Sequence, residues 1–401
     1  MTAPAARTLL AALAGGGATA RFVGGCVRDT LAGRPVHDID IATEATPDRV
    51  AALLRTHGIR TIPTGLAHGT LTALVEGELF EVTTLRRDVE TDGRRAVVAF
   101  TKDWLADAAR RDFTFNALYL DADGTLYDPT GGRADLEAGR VRFVGEARER
   151  LAEDVLRLLR FFRFHASYGR GAPDPGAMAA CRDFSPRLSG LSGERVWAEL
   201  GRILCTPDPG GTLRLMGGAG ALAPIVPGAT AFARLDGVVG IEAALGLGAS
   251  AIRRLAAVLE AKDAETGRLA RRLRMSRAEA ARLKKAVAAS GALIGDPDPA
   301  ASGCRLYRWG EEAFADALAI AWAGRRAGGG DEAAFESAAR ALAAWRRPVF
   351  PLGGRDAIAL GAPPGPAVGS VLREVEAWWI AEGFAPGRDA CLARLAAAAA
   401  S

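Results

Sequence analysis

The sequence predicts an α+β fold: strands and helices mix over the first 145 residues, and helices alone follow. Three observations carry this. Short strand-like runs separated by turn residues recur between Phe22 and Tyr127. Beyond about residue 145 the apolar residues recur at helical spacing to the end of the chain. Pro/Gly clusters at 171–176, 206–211, 295–299, 328–330, 348–354 and 361–366 cut that part into separate helices.

Each element follows from local chemistry. Met1 to Gly17 has an apolar run but only Arg7 as positive charge, so it reads as a short helix with Thr8 to Leu13 packing, not a signal peptide. Phe22-Val23 leads into Gly24-Gly25, and Ile39 to Ala42 reads as a strand. Thr46-Pro47 supplies an N-cap and a proline at the first helical position, for a helix ending near His57-Gly58. Ile59 to Pro63, Gly69 to Val75 and Leu79 to Thr84 read as strands, with a turn at Gly77. The polar, Arg/Asp-rich stretch Arg86 to Thr101 reads as a mobile loop with a turn at Asp92-Gly93. Asp121 to Gly124 reads as the hairpin turn between 118–120 and 125–127. Asp128-Pro129-Thr130-Gly131-Gly132, before Asp135-Leu136, reads as a turn that can cap a helix or act as a hinge. The alanines at 396–400 read as a helix end or tail.

Composition narrows the class. A chain of 401 residues, 49% apolar and 24% charged, can bury a sizeable core and form more than one domain. A net charge of +4 means that any nucleic-acid contact comes from local basic patches. The five cysteines are scattered without zinc-ligand spacing, which fits a reducing cytosol, so the expected location is cytoplasmic. No apolar run reaches membrane-spanning length.

The densest chemistry lies in Val23-Gly24-Gly25-Cys26-Val27-Arg28-Asp29 and Asp38-Ile39-Asp40. On a strand, Asp38 and Asp40 point to one face while Ile39 and Ile41 point into a core. Two close carboxylates repel unless a cation neutralises them, and such hard ligands suit Mg²⁺ shared with phosphates. The glycine pair lets a phosphate chain approach the backbone, and Arg28 can meet it with a charged fork. His37-Asp38 also spells a metal-hydrolase pair, but four histidines in the whole chain are too few for that ligand set.

Three further clusters admit two readings each. Arg110-Arg111-Asp112-Phe113-Thr114-Phe115-Asn116-Ala117 can contact phosphates and ribose hydroxyls, or can be a helix start capped by Asp112. In Glu153 to Phe164, read as one helix, Val155, Leu158, Leu159 and Phe162 form an apolar stripe, while Asp154 sits beside Arg157 at i,i+3. That pair is either a surface salt bridge or a set of donors and acceptors for a base edge. Arg268 to Lys285 is either a track for an RNA backbone or a solvated helix face. Leu191 to Trp197 opens a helix with Ser192 as N-cap and Arg195 in the first turn.

Taken in order, these motifs resemble the class II CCA-adding tRNA nucleotidyltransferase and bacterial poly(A) polymerase family. The resemblance covers roughly residues 20–200. It implies a nucleotidyltransferase head with a mixed sheet over 1–145, a helical neck over 146–205, a body over 206–300 and a tail over 301–401 that contacts RNA. It implies that Asp38 and Asp40 hold two Mg²⁺ ions, with Glu81 as the candidate third carboxylate. Gly24, Gly25 and Arg28 would face the triphosphate, and Arg111, Asp112 and Asn116 the ribose. Asp154 and Arg157, with Arg160 assisting, would read the incoming base, and Arg86 to Thr101 would help switch selection from C to A. The implied substrates are CTP and ATP and the implied partner is the tRNA 3′ end, with neither membrane nor DNA involved. The rivals are a poly(A) polymerase, an enzyme adding only CC or only A, and a non-catalytic RNA-binding protein.

Overall fold

A computed structural model describes residues 4–91, 96–260, 263–295 and 298–399. Two compact units make up the chain, residues 1–227 and 228–401.

The first unit is built on a seven-stranded mixed sheet. Its strands are β1 (Ala20–Val23), β2 (Asp40–Thr43), β3 (Arg60–Gly65), β4 (Thr70–Val75), β5 (Glu78–Thr84), β8 (Tyr119–Leu120) and β9 (Leu126–Tyr127), in spatial order β3-β4-β5-β2-β1-β8-β9. Only β2 and β5 run parallel; the other neighbours are antiparallel. Three helices accompany these strands: α1 (Pro4–Gly15), α2 (Gly25–Leu31) and α3 (Pro47–Thr56). Leu9, Leu10 and Leu13 of α1 and Val50, Leu53 and Leu54 of α3 are buried, as the apolar spacing requires.

β2 lies at the centre of the sheet, and its chemistry depends on where it starts. The ladder begins at Asp40, which pairs in register with Glu81, while Ile41 pairs with Val82. Ile41 and Val82 are fully buried, so the adjacent Asp40 and Glu81 share the opposite face. Asp38 lies just outside the strand and is exposed, and Ile39 is only half-buried. The expected Asp-Ile-Asp strand is thus shortened by two residues, because no neighbouring strand pairs with residues 38 and 39.

The stretch 86–101 also differs from expectation. It forms a separate two-stranded hairpin, β6 (Arg86–Thr91) with β7 (Ala96–Phe100), paired from Arg86↔Phe100 to Thr91↔Ala96. The apolar run Ala96–Phe100 and the charged run before it satisfy their backbone donors by pairing with each other, and Arg86 N donates to Asp107 Oδ1 at 3.2 Å. The expected Asp92-Gly93 turn lies outside the described residues.

Among the described residues seven α-helices complete the unit: α4 (Trp104–Ala109), α5 (Gly132–Ala138), α6 (Ala147–Glu153), α7 (Leu156–Tyr168), α8 (Pro175–Phe184), α9 (Gly193–Leu204) and α10 (Pro209–Gly218). Asp128 accepts from the backbone N–H of Thr130, Gly132 and Arg133, so the 128–132 turn caps α5. A Cβ on Gly132 would lie 2.2 Å from the Thr114 carbonyl oxygen, so α5 can approach this closely only with glycine there. The single helix expected across Glu153 to Phe164 is two helices. Asp154 is extended (φ −151°, ψ 105°), and its Oδ1 accepts from Leu156 N at 3.1 Å, so its side chain competes for the backbone and ends α6.

The second unit is all helix: α11 (Phe232–Ala244), α12 (Ala251–Val258), α13 (Asp263–Arg272), α14 (Arg277–Gly295), α15 (Ser302–Trp309), α16 (Glu311–Ala327), α17 (Ala333–Ala343), α18 (Gly354–Ala359), α19 (Pro366–Ala381) and α20 (Arg388–Ala399). α16 is its axis. Residues Phe314 to Ala323 are all buried, wrapped by α11 and α14. Val375, Trp379, Ile380, Cys391 and Leu395 form a second small core among the last helices. Among the described residues, no helix is long and apolar enough to cross a membrane.

Candidate active site

The site is assembled where β1 turns into α2. Gly24 has φ 73° and ψ −122°, a conformation that a side chain rarely tolerates, and its N–H donates to Leu118 O at 3.1 Å. Arg111 Nη1 comes within 3.6 Å of where a Gly24 Cβ would sit. The glycine turn therefore faces a guanidinium. On the neighbouring strand Asp40 is half-buried. Burial pushes its carboxyl above the usual range; Glu81 and Asp38 add to this and Arg111 opposes it. Glu81, Asp38 and Arg111 thus all act electrostatically on Asp40.

This donor set fits Mg²⁺. The ligands on offer are carboxylate oxygens, and a divalent cation would offset both the burial of Asp40 and its repulsion by Glu81 and Asp38. Among the described residues no three His, Cys, Asp or Glu side chains form a ready metal cage. Mg²⁺ keeps waters and substrate phosphates in its shell and is usually bound through only one or two carboxylates. Asp38 and Asp40 would hold it, with Glu81 in register beside Asp40.

Arg111 is held from behind by a residue that sequence reasoning missed. Asp107, fully buried on α4, accepts from Arg111 Nη2 at 2.9 Å, Arg110 Nη2 at 2.6 Å and the Tyr119 hydroxyl at 2.8 Å. Burial alone would raise this carboxyl; Arg111 and Arg110 outweigh it and hold it at about 2. The signal was present, because Asp107 stands three and four residues before the arginine pair.

From there a chain of polar contacts crosses the unit. Arg28 is 9% exposed and turned inward, not toward open space as a free phosphate fork would be. It grips Asp29 through two bonds of 2.9 Å and donates to Asn116 Oδ1 at 2.7 Å. Asn116 donates to Asp112 Oδ1 at 2.9 Å, and Asp112 Oδ2 accepts from Arg160 Nε at 2.6 Å. Burial works to raise the Asp112 carboxyl, but Arg160 and Asn116 more than offset it, and the group sits below its ordinary range. Phe164 lies beneath this chain, packed edge-on to Phe113 and Phe115, with the guanidiniums of Arg28, Arg160 and Arg163 at 5.0, 5.5 and 4.1 Å from its ring centre.

The pairing expected at the start of α7 is corrected. Asp154 does not pair with Arg157. The break in the helix sends Asp154 Oδ2 to Arg195 Nη2 at 2.6 Å, and Arg157 pairs with Glu153, with a further bond to Arg150 O at 3.0 Å. All four side chains keep an exposed portion, so each retains capacity for a ligand. Arg195, read from sequence as support, is the partner of Asp154. Glu199 on α9 was also missed. It is buried, accepts from Arg163 Nε at 2.6 Å and lies 3.8 Å from Arg160 Nη1.

Comparison with known proteins places the chain in a family. The family profile described as Poly A polymerase head domain matches residues 20–142, and the profile described as probable RNA and SrmB-binding site of polymerase A matches residues 172–232. The mouse mitochondrial CCA tRNA nucleotidyltransferase 1 is 35% identical over 398 residues, 93% of this chain and 85% of the relative. The chain belongs to the CCA tRNA nucleotidyltransferase family. The zebrafish member is 49% identical over 202 residues, and that match spans 49% of this chain and 46% of the zebrafish relative's length. The crystal structure of the Bacillus stearothermophilus CCA-adding enzyme in complex with CTP superposes with a TM-score of 0.69 at 29% identity, covering 98% of this chain and 96% of that one.

Proposed function

We propose that this chain adds C, C and A to the 3′ end of tRNA, transferring CMP and AMP from CTP and ATP and releasing pyrophosphate. One observation supports the reading above others: an acidic strand edge at Asp40 and Glu81 meets Arg111 and the Gly24 turn, at the head of a polar chain that runs to Arg160. Bound Mg²⁺ would supply positive charge to the triphosphate and acidity to the attacking 3′-hydroxyl. Asp38 and Asp40 hold that charge in place. Gly24 and Gly25 let the phosphates approach the backbone, and Arg111, fixed by Asp107, faces them. Asp112 and Asn116 offer their remaining capacity to the ribose. Asp154 and Arg157, each steadied by another partner, present an acceptor and donors to the base edge, with Arg160 beside them. Arg28 acts through Asn116 and sets its orientation.

The same proposal assigns the head to 1–145, the neck to 146–205, the body to 206–300 and the tail to 301–401, with the tail on the RNA. It places the enzyme in a reducing compartment, the cytosol by expectation, since all five cysteines are free thiols.

The test is direct. The protein is incubated with Mg²⁺ and tRNA lacking its terminus, with CTP and ATP singly and together, and the products are sequenced. CTP alone is expected to give two additions, and both nucleotides to give CCA and stop. A long A tail would make the chain a poly(A) polymerase, and no incorporation would make it an RNA-binding protein.

A further inference from the structure

The first unit holds a recess of about 600 Å³ at the C-terminal ends of α2 and α7 and beside α5. The candidate active site uses the opposite ends of α2 and α7. Arg34, Arg133, Arg170, Glu137, Ser167 and Tyr168 supply the polar lining. The charge is unbalanced. Arg133 is paired with Glu137 at 2.8 Å. Arg34 donates to the Ser167 carbonyl and lies 4.2 Å from the ring centre of Tyr168. Neither Arg34 nor Arg170 has a carboxylate at ion-pair distance among the described residues. The main chain at Arg170 is fixed by its N–H bond to Gly139 O at 2.9 Å.

We propose that this recess is a second phosphate-binding site, separate from the nucleotide site, in which Arg34 and Arg170 clasp a phosphate-bearing ligand. Guanidinium forks match phosphate oxygens in geometry and charge. A concave wall of protein concentrates their field relative to the same groups on an open surface. Tyr168 forms part of the lining and gives the recess a line to the active site. Its hydroxyl donates to Asp29 Oδ1, Asp29 holds Arg28, and Arg28 holds Asn116. Two sources carry the required chemistry: free pyrophosphate and the backbone phosphates of an RNA strand.

Binding is read without turnover, so the outcome is independent of whether the chain adds CCA. The full chain is titrated with sodium pyrophosphate by calorimetry, and with a short labelled oligouridylate by fluorescence anisotropy. Wild type is compared with the double variant Arg34→Ala/Arg170→Ala, whose folding is checked by melting. A loss of about tenfold or more in pyrophosphate affinity at one binding event supports the site with a free anion as ligand. A similar loss for oligouridylate, with the pyrophosphate titration unchanged, supports it with RNA as the source. Superposable titrations of both probes overturn it. Should the double variant melt early, Arg170→Glu repeats the comparison, since that side chain is exposed and makes no ion pair; unchanged binding of both probes overturns the site there too.

Discussion

Each unit contains a cluster of buried acids and arginines, and the two clusters are built differently. In the second unit Arg253 bridges Asp316 at 2.8 Å and Glu242 at 2.7 Å, and Arg254 closes on Glu242 at 2.8 Å. Arg253, Arg254, Glu242 and Asp316 are all 6% exposed or less, and Arg282, which keeps 26%, gives its nitrogens to Asp316, Glu312 and Ser250. In the first unit the acids are nearly as hidden, Asp107 at 1% and Glu199 at 5%, but Arg111 and Arg160 keep 20% and 31% of their side chains accessible. The closed cluster has spent its donors on the protein. The open one is anchored from behind and keeps donors facing outward. A buried acid therefore does not mark a site by itself; what marks it is donor capacity that the arginines it holds have not spent on other protein partners.

Variants can break this contrast. The largest effect is expected from Asp40→Ala, which should lower single-turnover incorporation by about a thousandfold or more while leaving tRNA affinity and the melting temperature close to wild type. Substantial residual turnover would remove Asp40 from the metal site. Asp316→Ala takes from Arg253 and Arg282 the buried carboxylate they share, leaving each with one acidic partner. It should cost about 3–5 kcal/mol of stability in urea melts, with incorporation per folded molecule unchanged at low temperature. A rate defect with normal stability would show that the closed cluster takes part in function.

Acid titration separates the clusters further. Asp107 is held at about 2 against an ordinary 3.8, so its contribution is present above the unfolded value and is lost as pH falls from about 4 toward 2. The contribution is about 2 kcal/mol, and Asp107→Asn should flatten that limb of the stability–pH curve. An unaltered acid limb in the variant would count against the anchoring role. The smallest effect is expected from Asp154→Ala. It should reduce the preference for CTP over UTP in kcat/KM by about 1–3 kcal/mol, with far less effect on pyrophosphate release from the correct nucleotide. Unchanged discrimination would take Asp154 out of base reading.

Much of this was legible in the residues. The glycine pair, the Asp-Ile-Asp run and the strands after His57 are local features, and the structure places β3, β4 and β5 within one or two residues of expectation. Two things misled. Asp154 suits a helical stripe by spacing, yet its short side chain competes for the backbone and breaks the helix. The 86–101 stretch looks unstructured from the mostly charged and polar residues at 86–95, yet Ala96-Val97-Val98-Ala99-Phe100 has strand-forming residues and pairs with 86–91 as a hairpin.

What the sequence determined by itself was the alphabet of the site: which residues can bear carboxylates, guanidiniums or a left-handed turn, and which segments are strand or helix. Those properties depend on a residue and its near neighbours. The tertiary structure alone decided the partners. Asp40 faces Glu81 because β2 and β5 run parallel in one register. Arg28 turns to Asn116, 88 positions away, and Arg160 to Asp112, 48 positions away. Charge pairing acts across a few ångströms of space regardless of separation along the chain, so only the folded backbone could assign these pairs.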